Sequence, residues 1–372
     1  METLTPEERS YYARQLVIPR FGEETQIRLK GAKVLVVGAG GLGCPVLQYL
    51  NAAGVGTLGI ADGDQVSLHN LHRQVLYRTE DVGKEKVMVA ERRLREQNPF
   101  SNIITYAANV TAANGSSFLE PFQLVLDCSD NFATRYLLND RCVRANKPFV
   151  SGSVFRWSGQ MLVCNYRESA TYRCVFPEPP APEDSPDCES TGVLGILPGI
   201  IGSLMAAEAL KILTGQGEVM RNRLLNYDFN LQEFTWLQLE RNQAAVDAML
   251  REAPWSDGQY QYFCGAPEAE ENRVKGILAA ELKAMLRRQE NLQLIDVREP
   301  EEHALMHIGG LLMPVAEVME RAEEISREQP VVFYCKTGFR SELVIRRLQD
   351  KFGWTNLYNL EGGIRAYYAQ QV

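Results

Sequence analysis

Four aliphatic residues, Val34-Leu-Val-Val37, run straight into the glycine cluster Gly38-Ala-Gly40-Gly41-Leu-Gly43, and an apolar stretch to Leu50 follows. A continuous aliphatic run reads as a strand buried on both faces. Glycines at its end permit a tight turn and let backbone N–H groups approach a phosphate. The helix that follows points the positive end of its dipole at the same anion. A second strand, Thr57 to Ile60, leads into Asp62, roughly 20 residues on, where a ribose-binding acid belongs. The stretch points to a nucleotide-binding βαβ unit.

The rest of the chain extends that unit. From Lys33 to Ser151, strand-like runs (34–37, 57–60, 102–106, 124–127, 148–150) alternate with helical patterns (42–53, 84–97, 111–119, 132–146). Such alternation reads as an α/β, Rossmann-like fold with a mostly parallel sheet. From Gln160 the pattern turns antiparallel (160–166, 223–228, 233–239), broken by a Pro-rich loop at 176–198 and an apolar helix at 200–213. A loop that long is more often functional than structural. Near the N-terminus, Thr5-Pro6-Glu7-Glu8 carries a capping box, and Arg14-Gln15 closes the short helix it starts. The stretch 251–272 shows no period and reads as a linker between residues 1–250 and a second α/β unit, 273–372. Its strands are expected at 292–297, 331–334 and 356–359, and its helices at 276–288, 299–305, 315–327 and 341–350.

The net charge of −8 argues against a general nucleic-acid binder. The N-terminus shows no basic-then-apolar leader. No run approaches about 18 uninterrupted apolar residues, so no membrane span is expected. Eight cysteines (44, 128, 142, 164, 174, 188, 264, 335) lack framework spacing, which suits a reducing, cytoplasmic setting.

After Asp62 come Asp64, Asn70, Arg73 and Gln74, and Lys86 opens the next helix. A dehydrogenase has no need of an arginine and two amides here. A nucleotide attacked at a phosphorus does, because cations must offset the charge developing there. Asp127-Cys-Ser-Asp130-Asn131 follows a buried strand at its carboxyl end, where ligands sit in such sheets, and Asp130 offers Mg²⁺ a hard oxygen.

Gly38-x-Gly40-Gly41-Leu-Gly43, Asp62-x-Asp64-x-Val-x-x-x-Asn70-Leu-x-Arg73-Gln74, Gly83-x-x-Lys86 and Asp127-Cys-Ser-Asp130-Asn131 closely resemble the MoeB/ThiF family, relatives of the ubiquitin-activating enzymes, over about residues 7 to 240. The resemblance implies that the C-terminal carboxylate of a ubiquitin-fold protein attacks the α-phosphate of ATP, giving an acyl-adenylate and pyrophosphate. It implies that Asp62 holds the ribose, that Asn70, Arg73 and Lys86 hold phosphates, and that Asp130 is the Mg²⁺ aspartate. Asp64, Gln74 and Asn131 would join the glycines around the nucleotide. Arg14 matches an arginine that reaches the partner subunit's ATP, which implies a homodimer. Cys188, in the long loop, stands where the family places a conjugation or sulfur-handling cysteine. The family often carries a structural zinc on two Cys-x-x-Cys pairs. Here Thr171 and Gln261 leave only Cys174 and Cys264, and two thiolates cannot fill a tetrahedral site, so no zinc is expected.

Val331-Val-Phe-Tyr-Cys335-Lys-Thr-Gly-Phe-Arg340-Ser341 is a strand, a six-residue loop opening on cysteine, and a helix start. Successive N–H groups in such a loop form an anion nest. With Arg340 and the helix dipole they stabilise Cys335 as a thiolate or persulfide anion. Together with Asp296-Val-Arg298-Glu-Pro-x-Glu-His303, His307-Ile-Gly-Gly310 and Leu360-Glu-Gly-Gly363, it resembles the rhodanese domain over roughly 273 to 372, which implies a persulfide on Cys335. The family's usual Gly-His-Ile-Pro-Gly reads Met306-His-Ile-Gly-Gly310 in this chain. His303 and His307 are expected to be structural.

Joined on one chain, the two resemble MoeZ-type proteins. That implies thiocarboxylation of a sulfur carrier ending in Gly-Gly, with thiosulfate or a cysteine desulfurase as sulfur donor. An alternative is a ubiquitin-like protein activator that works through a Cys188 thioester. An NAD-dependent oxidoreductase would need a hydride-site residue set that the Arg73, Lys86 and Asp130 group does not supply.

Overall fold

A computed structural model describes residues 3–179, 192–264 and 274–369. The chain divides into two compact units, Met1–Ala266 and Pro267–Val372.

Eight strands build the first unit: β1 (Lys33–Val37), β2 (Thr57–Ala61), β3 (Asn102–Tyr106), β4 (Leu124–Asp127), β5 (Phe149–Phe155), β6 (Ser158–Cys164), β7 (Arg223–Asp228) and β8 (Glu233–Gln238). They form one sheet in the order β3-β2-β1-β4-β5-β6-β7-β8. Pairing is parallel from β3 through to β5 and antiparallel beyond it. Val34 to Val37 and Leu124 to Asp127 are buried without interruption, because crossover helices cover both faces of a parallel sheet. The antiparallel end needs no such cover, and β8 is exposed along its whole length.

The apolar helix runs Ile196–Thr214, 19 residues, long and apolar enough by composition to cross a membrane. In this fold it lies on the sheet: Ile201 and Met205 fill the space above Gly159 and Gly152.

Several helices go beyond the sequence pattern, among them Gly22–Gly31, Gln243–Arg251 and Asp257–Phe263. The last occupies part of the stretch expected as a linker, and that expectation is corrected accordingly. Its hold is tertiary, so no local period announces it. Asp257 Oδ1 accepts the Ala112 N–H at 2.6 Å, and Tyr260 O–H donates to Asp140 Oδ2 at 2.9 Å. Arg144 donates to the carbonyls of Met249, Leu250 and Glu252, which caps the preceding helix.

The second unit has five parallel strands: β9 (Gly276–Ile277), β10 (Gln293–Asp296), β11 (Leu311–Leu312), β12 (Val331–Tyr334) and β13 (Leu357–Leu360). Their order is β11-β10-β12-β13-β9. Helices Ala279–Arg287, Pro300–Leu305, Phe339–Phe352 and Gly363–Ala369 join them. The helix expected at 315–327 is absent; turns and a short 3₁₀ segment, Ala322–Glu324, take its place. N–H groups of Glu320, Glu324 and Ile325 reach back three residues, to Glu317, Arg321 and Ala322. The inward residues Val315/Val318 and Ala322/Ile325 step by three as well, a spacing that suits three-residue turns.

Candidate functional site

β1 sits between β2 and β4, and the register aligns Val37 with both Ala61 and Asp127. The three chain segments therefore leave the sheet at one level, at Gly38, Asp62 and Cys128. From β1 the chain winds outward one way through β2 and β3, and the other way through β4 and β5. Ligands bind in the crevice at such a switch point. Gly38 adopts φ +92°, and a Cβ there would lie 2.6 Å from the Cys128 carbonyl oxygen. No other residue lets these two segments cross so closely.

Asp62 ties the crevice together. Its Oδ2 accepts the Ala39 N–H at 2.7 Å and its Oδ1 the Asp64 N–H at 2.8 Å. Burial pushes the Asp62 carboxyl above its usual range; nearby Lys86 and the two N–H groups pull the other way. The Lys86 ammonium is almost fully buried, 2.8 Å from Asp64 Oδ2 and 3.9 Å from Asp62 Oδ1. An ammonium in this position needs such carboxylates. Arg73 donates to Asn70 Oδ1 at 3.1 Å and to His72 Nε2 at 2.8 Å. Asn70 and Gln74 are buried. Gln74 Oε1 has no hydrogen-bond partner among the described residues, so it is open to a donor from a ligand.

Within the Asp127 motif the two acids differ. Asp127 is fully buried and accepts from Ser129 N–H and Oγ, Ser151 Oγ and Arg135 Nε. Its lone pairs are spent inside the protein. Arg135 also donates to the carbonyls of Ser129 and Gly152, and so fixes the loop that leads to Asp130. Sequence reasoning missed Arg135, which sits in the first turn of the helix Phe132–Arg144 with no motif to mark it. Asp130 is exposed, touched by Asn131 Nδ2 at 3.5 Å. Asn131 caps the helix Phe132–Arg144 through the Thr134 N–H. Arg14 is exposed on the helix Ala13–Leu16, and no hydrogen bond joins it to the other residues of this group.

The second unit builds its site from one loop. Cys335, fully buried, directly follows β12, and its Sγ accepts the Gly338 N–H at 3.2 Å, with Ser341 Oγ 3.5 Å away. The loop carbonyls face the other way: Ile364 N–H donates to Cys335 O at 2.8 Å and Arg365 N–H to Lys336 O at 3.3 Å. Carbonyl and N–H point in opposite directions across a trans peptide, so tying these two carbonyls to the helix Gly363–Ala369 turns the Lys336 and Thr337 N–H groups away from that helix, while the Gly338 N–H is the one that reaches the sulfur. Gly363 permits the approach; a Cβ there would stand 2.5 Å from Cys335 O and 2.7 Å from Gly338 N. Arg340 places its guanidinium on Glu302, with two hydrogen bonds of 2.7 and 2.8 Å. That pairing holds the Glu302 carboxyl below its usual range. Nearby, burial raises the Asp296 carboxyl, but Arg298 and His303 more than offset this and hold it low. The His303 and His307 rings stack with centroids 4.2 Å apart, and His303 Nδ1 lies 2.8 Å from Asp296.

Cys188 lies outside the described residues. Cys174 Sγ lies 3.2 Å from Thr171 Oγ1 and accepts the Asn242 N–H at 3.3 Å. Beside it, Arg173 pairs with Asp140 at 2.7 and 2.9 Å and stacks over the rings of Tyr136, Trp255 and Phe263. Among the described residues no group of three or more His, Cys, Asp or Glu is placed to hold a metal.

Residues 12–247 match the ThiF family. The chain belongs to the ThiF family. Residues 278–370 match the rhodanese-like domain. The chain is 38% identical to a probable adenylyltransferase/sulfurtransferase MoeZ of Mycobacterium tuberculosis, over 99% of this chain and 94% of that one. It is 36% identical to the adenylyltransferase and sulfurtransferase MOCS3 of Drosophila willistoni, over 98% and 84%. A sulfur carrier protein adenylyltransferase of Thermus thermophilus is 46% identical over 70% of this chain and 98% of its own length. Among solved structures, E. coli MccB with ATP shares the fold at TM-score 0.51 and 24% identity, covering 58% of this chain and 66% of that one.

Proposed function

We propose that this chain adenylates the C-terminal glycine of a ubiquitin-fold sulfur-carrier protein and then supplies sulfur from a Cys335 persulfide to form the thiocarboxylate. The chain is an adenylyltransferase joined to a sulfurtransferase, and its adenylation uses ATP. The observation that carries the reading is the presence on one polypeptide of a cation-lined crevice at a sheet switch point and a buried loop cysteine whose sulfur accepts a loop N–H.

In the first half-reaction a carboxylate oxygen of the carrier attacks the α-phosphorus of ATP, and pyrophosphate leaves. Asp62 holds the ribose, while Asn70, Arg73, Gln74 and Lys86 face the phosphates. Asp64 now neutralises Lys86; a triphosphate would take over that role. Asp130, whose oxygens are little used within the protein, is suited to hold Mg²⁺, which would supply charge neutralisation. In the second half-reaction the terminal sulfur of the Cys335 persulfide attacks the acyl carbon and AMP leaves, giving an acyl disulfide. A second thiol, assigned to Cys188, then attacks Cys335 Sγ and releases the thiocarboxylate. The protein disulfide so formed is returned to two thiols by an external thiol reductant. Arg14, exposed and without a hydrogen bond to the crevice residues, is assigned to the partner subunit's site in a homodimer. The scattered cysteines favour a cytoplasmic setting, with thiosulfate or a cysteine desulfurase as donor.

The test is reconstitution: a small Gly-Gly protein, ATP, Mg²⁺, thiosulfate and a thiol reductant, followed by intact mass. Replacement of one oxygen by sulfur in the small protein is expected. A carrier–enzyme thioester at Cys188 with no sulfur gain would overturn the reading in favour of a conjugating enzyme.

A further inference from the structure

We propose that Tyr77 is a positioning residue for adenylation: by holding the Ala39 carbonyl, its hydroxyl turns the Gly40 N–H outward to meet a phosphate of the bound nucleotide. This rests on the adenylation reading and adds to it a residue outside the glycine, acid and cation set.

The two sides of Ala39 are spoken for. Its N–H donates to Asp62 Oδ2 at 2.7 Å, so it is not available to a phosphate. Its carbonyl accepts the Tyr77 O–H at 2.7 Å, with Cys44 Sγ a weaker donor at 3.6 Å. Tyr77 is buried, and burial raises its phenol well above the usual range, so it remains a donor at any working pH. All peptide bonds here are trans. The Gly40 N–H therefore points opposite to the Ala39 carbonyl, away from Tyr77 and the core. Gly40 is half-exposed and lies outside every helix and strand, and its N–H makes no hydrogen bond to the described residues. Beside it stands Gln74, whose Nε2 would be 3.6 Å from a Cβ at Gly40 and whose buried Oε1 has no partner among the described residues. An outward N–H, an unsatisfied amide beside it and the Lys86 ammonium on the Asp62 side together make a half-built phosphate and sugar cradle.

Tyr77→Phe keeps the ring and removes only the donor. In carrier-dependent ATP–pyrophosphate exchange, the KM for ATP should rise about tenfold, the effect of losing one well-placed hydrogen bond. The inhibition constant of adenosine, which has no phosphate, should stay within about twofold of wild type. Equal weakening of both, or of neither, would overturn the proposal. Wild-type exchange run alongside keeps the two readings apart, since its absence would contradict adenylation itself. A second measurement needs no variant. In the wild-type chain, ATP should slow amide hydrogen exchange at Gly40 and adenosine should not; equal rates with and without ATP would also overturn it.

Discussion

The two candidate sites are built by opposite means. The ThiF unit draws Asp62, Asn70, Arg73, Lys86 and Asp130 from strand ends, a turn and a helix start, and keeps the buried ammonium matched to two carboxylates. The rhodanese-like unit uses one short loop, whose carbonyls are held by the helix behind it and whose Gly338 N–H reaches the sulfur. The first arrangement depends on side-chain charge and on the whole sheet; the second depends on peptide orientation and on Gly363. Substitutions should therefore hurt the two activities by different routes.

The sharpest way to break this contrast is Lys86→Ala. It leaves Asp62 and Asp64 uncompensated and removes a cation from the phosphates, so exchange should fall on the order of a thousandfold. Thiosulfate sulfurtransferase activity should hold. A parallel loss of both, with the fold intact by circular dichroism, would mean the sites are not separate. Arg173→Ala comes next. It strands Asp140 and opens the ring cluster of Tyr136, Trp255 and Phe263, so chemical denaturation should show the ThiF unit weakened by about 3–5 kcal/mol. The sulfurtransferase transition should not move. Gly363→Ala should displace the cysteine loop and cut sulfurtransferase turnover by roughly a hundredfold while sparing exchange. The smallest effect concerns pH. Glu302 has its folded carboxyl below the ordinary value of 4.5 because of Arg340. Its contribution is thus present above that value and lost as pH falls through the lower, folded one. Glu302→Gln should flatten the acid-side decline in stability of the rhodanese-like unit by under about 1 kcal/mol, read from melts across a pH series.

Both recognisable motifs were legible because their constraints are local. Gly38 must be glycine for a turn, and the strand ahead of it must be aliphatic to be buried on two faces. The cysteine loop is contiguous, so it could be read in one pass, although the pairing of Arg340 with Glu302 across the loop could not. What escaped was held by distant partners. The helix Asp257–Phe263 has no apolar period of its own and looked like a linker; Ala112 and Asp140 fix it. Arg173 drew no reading from the sequence, yet it centres a cation–π cluster of Tyr136, Trp255 and Phe263. Asp127 and Asp130 look alike in sequence, and only the fold shows one saturated by four donors and the other open to solvent. Tyr77 carries no signature, because its task is a single bond to a carbonyl.

The central claim is that activation and sulfur supply are separate sites acting in sequence on one carrier. Its most direct measurement is intact-mass analysis of the carrier after incubation with Cys335→Ser protein, ATP and the sulfur donor. Serine cannot form a persulfide, and the crevice residues named above, Gly38 to Asp130, belong to the first unit. Exchange should persist, the carrier should accumulate as its adenylate, and no thiocarboxylate should appear. Thiocarboxylate formed at the wild-type rate would show that the sulfur does not come from Cys335 and would contradict the account.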